Sequence, residues 1–159
     1  MADKQPQMPD PGNSTQAVTE ALNGVLADSF ALYLKTKNFH WHVSGPHFHD
    51  YHLLFDAQAT EILGTTDVIA ERVRKIGGNT LRSIGDISRH QSLKDNDAEK
   101  VSAKDMLKEL RDDNLALIAS LRELKRLADE TGDNATSAVV DDWTDFAEQR
   151  AWFLLEAAA

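Results

Sequence analysis

The sequence contains no cysteine, which excludes disulfides, thiolate zinc sites and cysteine nucleophiles together. Proline is scarce. Pro6, Pro9 and Pro11 lie near the N-terminus and only Pro46 stands beyond them, so most of the chain lacks the residue that breaks helices. No apolar run approaches the roughly 20 residues needed to span a bilayer, and no charged-then-apolar leader opens the chain. Basic residues are also in deficit, with 17 Lys and Arg against 26 Asp and Glu and a net charge of -9. That balance gives no general attraction for nucleic acid. What is left is an acidic chain of 159 residues, long enough for one domain with a proper core. The cytoplasm is its expected compartment, and association with a nucleoid depends on whether it holds DNA.

Apolar residues recur at helical spacing through most of what remains. Residues 1–14, with their prolines, Gly12 and Asn13, read as a flexible tail before one domain over residues 15–159. From Thr15 to about Val43, Val18, Leu22, Val25, Ser29, Leu32, Tyr33, Thr36 and His40 share a face, with Asn13 or Ser14 as the N-cap. Ser44-Gly45-Pro46 is a short turn, so a second helix over about 48–76 returns antiparallel to the first. Gly77-Gly78 stops it. A long connection follows, with a short helix expected over Leu81 to Ser88. Ser102 and Asp105 form a capping pair for a third helix, whose stripe is Met106, Leu107, Leu110, Asn114, Leu117, Leu121, Leu124 and Ala128. After Thr131-Gly132-Asp133-Asn134, a fourth helix carries Val139, Val140, Trp143, Phe146, Arg150, Phe153 and Leu154. Short, long and short connections predict an all-α, ferritin-like four-helix bundle, with a crossover between the second and third helices that carries the short helix.

The second helix holds the chemistry. At about 100° per residue, His52, Asp56, Thr60, Leu63, Gly64, Asp67 and Glu71 fall within an arc of roughly 120°. A solvated acidic face would scatter its carboxylates around the helix. His52 and Asp56 are one turn apart, as are Asp67 and Glu71, but the two pairs are separated by about fifteen residues, or roughly 22 Å. Metal–ligand bonds are only about 2 Å long, so each pair is half a site. A two-fold axis near residues 61–62 sets one chain's His52 and Asp56 against another's Asp67 and Glu71, with Gly64 permitting close approach. The short turn brings His40 beside His52 and Asp56.

Di-iron carboxylate bundles carry Glu-x-x-His on two helices, and no glutamate here is followed three residues later by histidine. The usual site inside one bundle is therefore absent. Lys37-Asn38-Phe39-His40-Trp41, Gly45-Pro46, His52-Leu53-Leu54-Phe55-Asp56 and Asp67-Val68-Ile69-Ala70-Glu71-Arg72 resemble the signature of the Dps family, the mini-ferritins named as DNA-binding proteins from starved cells. The likeness extends more weakly over about residues 15–156.

The resemblance implies a hollow dodecamer with intersubunit ferroxidase sites, where Fe(II) is oxidised, preferably by hydrogen peroxide, and stored as Fe(III) mineral. Carried over by position, it implies His40, His52 and Asp56 from one subunit and Asp67 and Glu71 from its mate. His40, Asp67 and Glu71 would hold the tighter of two irons, with Glu71 as a candidate bridge. Trp41 corresponds to an aromatic neighbour able to supply an electron. Imidazole and carboxylate accept Fe(II) and leave positions open. Zinc can occupy the same ligands, although structural zinc is usually closed by four protein groups.

Alone, His40 or His52 on a half-apolar face would more often be a hydrogen-bonded core histidine. The full constellation of His40, His52, Asp56, Asp67 and Glu71 is what favours metal. His42 reads as a polar interface residue or an auxiliary metal contact, His47 and His49 as solvated, and His90 as structural. Asp133 and Asp142 stand where the family often lines an iron-entry pore, and the capping reading of Asp133 is equally open. Direct DNA binding is the alternative function. Lys4 stands alone in the tail against Asp3 and Asp10, where DNA-condensing relatives carry lysine-rich arms.

Overall fold

The computed structural model describes residues 13–159 and, among them, five helices and no strand. They are α1 (Asn13–His42), α2 (Phe48–Lys75), α3 (Ile84–His90), α4 (Ala103–Glu130) and α5 (Asn134–Ala157). Most of the expected tail lies outside the described residues, as do the side chains of Asn13 and Ser14 and hence the expected cap. α1 packs against α2 and α4, and α4 against α5, whereas α2 and α5 approach closely at few points. The short helix α3 lies against α1 within the crossover.

Local chemistry explains the boundaries. Gly45 takes a φ of 113° in the α1–α2 turn, and the Phe48 amide donates to its carbonyl at 3.1 Å. At the end of α2, Gly77 adopts a φ of 89° and the Gly78 amide donates back to Val73 O at 3.0 Å, closing off orphan carbonyls. Ser102 Oγ accepts from the Asp105 amide at 3.1 Å, as its capping spacing predicts. The expected stripe of α4 is buried throughout.

Two expectations are corrected. The short helix spans Ile84–His90, not Leu81 to Ser88, because Ser83 Oγ accepts from the Asp86 amide and caps it there. In α5 the inward face is Thr136, Ser137, Val140, Trp143, Ala147, Arg150, Ala151 and Leu154. Phe146 and Phe153 remain about two-fifths exposed. Ala147 and Ala151, not Phe146 and Phe153, take the buried positions there.

The crossover is held by α1. Buried Asp28 accepts from the Ser92 amide and hydroxyl, both at 2.6 Å, and from the Leu93 amide at 3.0 Å. Asn23 donates to Asn79 O at 2.8 Å and accepts from Thr80. These bonds satisfy backbone groups of a segment with no ladder of its own.

Gly78 is the tightest backbone approach. A Cβ there would stand 2.7 Å from both Thr19 Cγ2 and Thr19 Oγ1 and 3.1 Å from Val73 Cγ1. Gly78→Ala is expected to lower unfolding free energy in urea by about 1–3 kcal/mol, the usual cost of overpacking. Adding Thr19→Ala should recover most of that loss; no recovery would place the strain elsewhere.

Candidate metal centre

The end of α1 and the start of α2 are joined by two histidines. His40 Nδ1 lies 2.7 Å from His52 O, and His52 Nδ1 lies 2.7 Å from His40 O. A carbonyl only accepts, so each Nδ1 must carry the proton and donate. In the neutral ring that tautomer leaves the lone pair on Nε2, the form in which imidazole binds metal. The rings stack with centroids 3.8 Å apart and planes 16° from parallel. The turn dictated by Gly45 makes this reciprocal bonding possible, and Phe48 adds a tilted ring 5.1 Å from His52.

Asp56 stands one turn further along α2. Its Oδ1 is 3.8 Å from His40 Nε2 and accepts from Lys37 Nζ at 2.8 Å. The Lys37 hydrogen bond holds the Asp56 carboxyl below its usual range, with desolvation opposing it and the ammonium charge adding to the depression. Lys37 also lies 5.9 Å from the centroid of Trp41, which is 57% exposed. In the sequence Lys37 stands only as the first residue of the Lys37-Asn38-Phe39-His40-Trp41 motif. Its helical offset from His40 was visible, but its partner across the turn was not.

Asp67 and Glu71 occupy the same side of α2 further on, and both are exposed. Leu53, Leu63 and Val68 are also exposed on this helix, and Gly64 faces open space. Among the described residues of one chain, no group of three or more His, Asp or Glu is arranged to hold a metal. The structure thus brings His40, His52 and Asp56 together and leaves Asp67 and Glu71 apart from them.

The remaining candidates have ordinary partners. His42 Nδ1 lies 2.8 Å from both Asn38 O and Asn38 Oδ1. His47 tilts against Tyr51, His49 is exposed, and His90 bonds Asp86 O within α3. Asp133 caps α5 by accepting from the Thr136 amide at 3.0 Å and lies 3.7 Å from Arg72. Asp142 is exposed. No helix among the described residues is long and apolar enough to cross a membrane.

The topology and this centre define a ferritin-like helical protein, and a sequence model of the Ferritin-like domain matches residues 19–158. The chain is 34% identical over 139 residues to the DNA protection during starvation protein of Brevibacillus brevis, covering 87% of this chain and 93% of that one. The structure of a Dps protein from Bacillus brevis aligns with a TM-score of 0.89 at 32% identity, over 93% of this chain and 99% of that one. A Dps protein from Vibrio cholerae O1, described as a member of a broad superfamily of ferritin-like diiron-carboxylate proteins, aligns with a TM-score of 0.86 at 26% identity, over 92% and 91% of the two chains. The chain belongs to the Dps family.

Removing Lys37 tests the electrostatics of the centre directly. In Lys37→Met the midpoint of the Asp56 carboxyl, followed by carbon NMR of labelled aspartate, is expected to rise towards its ordinary value. Loss of the hydrogen bond and of the charge act in the same direction. An unchanged midpoint would show that Lys37 does not govern Asp56.

Proposed function

We propose that this protein stores and detoxifies iron, oxidising Fe(II) with hydrogen peroxide at sites shared between two subunits and holding the Fe(III) mineral in a dodecameric shell. The observation that carries the reading is the division of the donors on α2. His52 and Asp56, with His40 beside them, lie near one end of its exposed side and Asp67 and Glu71 near the other. They are separated by roughly 22 Å along the helix, far beyond a metal's reach. A second copy crossing head to tail supplies what each half lacks, and one isologous contact then makes two identical sites.

Iron is the substrate and cargo of such a site. Each Fe(II) gives one electron, and hydrogen peroxide accepts two as its O–O bond breaks, its oxygens leaving as water or hydroxide on taking up protons. Two irons at one site match that count without releasing hydroxyl radical. Where one iron is bound, Trp41 beside His40 supplies the second electron. Two Nε2 lone pairs and three carboxylates suit Fe(II), and zinc is a substitute for the same donors. Lys37 competes with any cation at Asp56, so metal entry displaces the ammonium.

Protection of DNA then follows from removing the two reactants that generate hydroxyl radical. With a net charge of -9, direct DNA binding is the weaker reading. The cytoplasm is the proposed compartment.

Subunit mixing tests the shared site. His40→Ala and Glu71→Ala chains should each lose peroxide-driven Fe(II) oxidation in the stopped flow. After co-refolding, half of random dimers are mixed and each holds one intact site of two, so about one quarter of wild-type sites should return. A mixture no more active than its parents would sink the proposal.

Gly64→Leu tests the crossing. Its helicity is expected to stay near wild type, since Gly64 faces open space within one chain. Sedimentation should nevertheless show a weakened dimer, by about tenfold or more if backbone approach is lost. An unchanged dissociation constant would remove the axis from this position.

A further inference from the structure

The side of α2 that faces α5 is held by hydrogen bonds. Tyr51 Oη donates to Ala157 O at 3.1 Å, Gln58 Nε2 to Arg150 O at 3.2 Å, and Arg72 Nε to Thr136 Oγ1 at 3.0 Å. These pairs share one antiparallel register, residue numbers rising along α2 as they fall along α5. Between them, Arg150 reaches back across the gap. Its Nη1 donates to Glu61 Oε1 at 2.7 Å and its Nε to Asn114 Oδ1 at 2.8 Å. Arg150 is only 5% exposed, and burial pulls its guanidinium down from its ordinary value while Glu61 opposes that.

We propose that Arg150 is a positioning residue for the intersubunit iron centre, gripping α2 at its midpoint through Glu61 and so fixing the rotation of that helix about its own axis. The proposal rests on the shared-site reading above. Glu61 stands between the two half-sites in sequence, and the α5-facing flank lies across the helix from the stripe of His52, Asp56, Asp67 and Glu71. Whatever turns one flank turns the other.

The apolar seam of α2 cannot set this angle alone. Its buried residues Phe55, Ala59, Ile62, Thr66, Ile69 and Val73 alternate at intervals of four and three, and burial is non-directional. A turn of about 20° at a radius of roughly 6 Å moves an outer atom by about 2 Å, a full metal–ligand bond length. The seam tolerates such a turn because its residues stay covered. The hydrogen bond to Glu61 does not, since it is directional and short. A guanidinium left in the core without its anion is strongly disfavoured, which makes the grip steep. Buried ionic pairs of this kind are best attested as devices of register, not of raw stability.

The test uses the full chain and anaerobic Co(II) as the probe. Replacing both partners, Arg150→Met with Glu61→Met, removes the pair without leaving an unpaired charge. Helicity and size in solution should stay at wild-type values, while Co(II) affinity falls at least tenfold and the d–d absorption changes in intensity and position. Binding within twofold of wild type, with the same spectrum, would overturn the proposal and leave Arg150 a core residue only. Should the double variant fail to fold, Glu61→Gln serves instead, because a neutral amide holds the guanidinium more weakly than the carboxylate does. A threefold or greater loss of Co(II) affinity is then expected, and an unchanged titration overturns the proposal. Failure of the subunit-mixing experiment would overturn the shared site on which the proposal rests, whereas unchanged Co(II) binding in the double variant with mixing intact would overturn the grip alone.

Discussion

The rotation of α2 about its own axis is the constraint on which the rest depends. One helix must present an apolar seam to α1 and the core, a polar flank to α5, and a stripe of histidine and carboxylate outward. These demands fit on one cylinder because the three sets of residues fall at different angles around it. They also make the helix intolerant. A small turn that leaves the core covered still carries each donor away from its proposed metal position.

The two histidines solve a related problem at the end of the hairpin. A helix C-terminus leaves carbonyls without intrahelical partners, and His52 satisfies one of them, that of His40. His40 in return donates to a carbonyl of α2. The bonding joins the helices and sets both tautomers together. Lys37 complements it. The ammonium compensates the Asp56 carboxylate, and the partial exposure of that pair keeps the attraction modest.

Much of this was legible in the residues. The stripes of α1 and α4, the Ser102 cap, the turn at Gly45 and the long crossover all rest on spacing along the chain. The same periodicity placed His52, Asp56, Asp67 and Glu71 on one stripe, and the absence of Glu-x-x-His excluded the usual site within one bundle. The misreadings have physical causes. In α5 the large Phe146 and Phe153 stand beside the buried line that Ala147 and Ala151 occupy, because closely approaching helices leave room there for small side chains. α3 starts at Ile84, later than its apolar spacing predicts, because Ser83 caps it there. Asp28, Lys37 and Arg150 read as ordinary charges until their partners were known.

The amino-acid order by itself determined where helices begin, which residues each can bury, and that the donors on α2 lie too far apart to serve one ion within one chain. Those properties depend on neighbours a few positions away and on the fixed geometry of a helix. Only the tertiary structure decided which carbonyl each imidazole would meet, that Lys37 would lie on Asp56, and that Arg150 would reach Glu61 across 89 positions of sequence. Such contacts depend on how far apart two helices pack and how each is turned, and no local periodicity encodes either quantity.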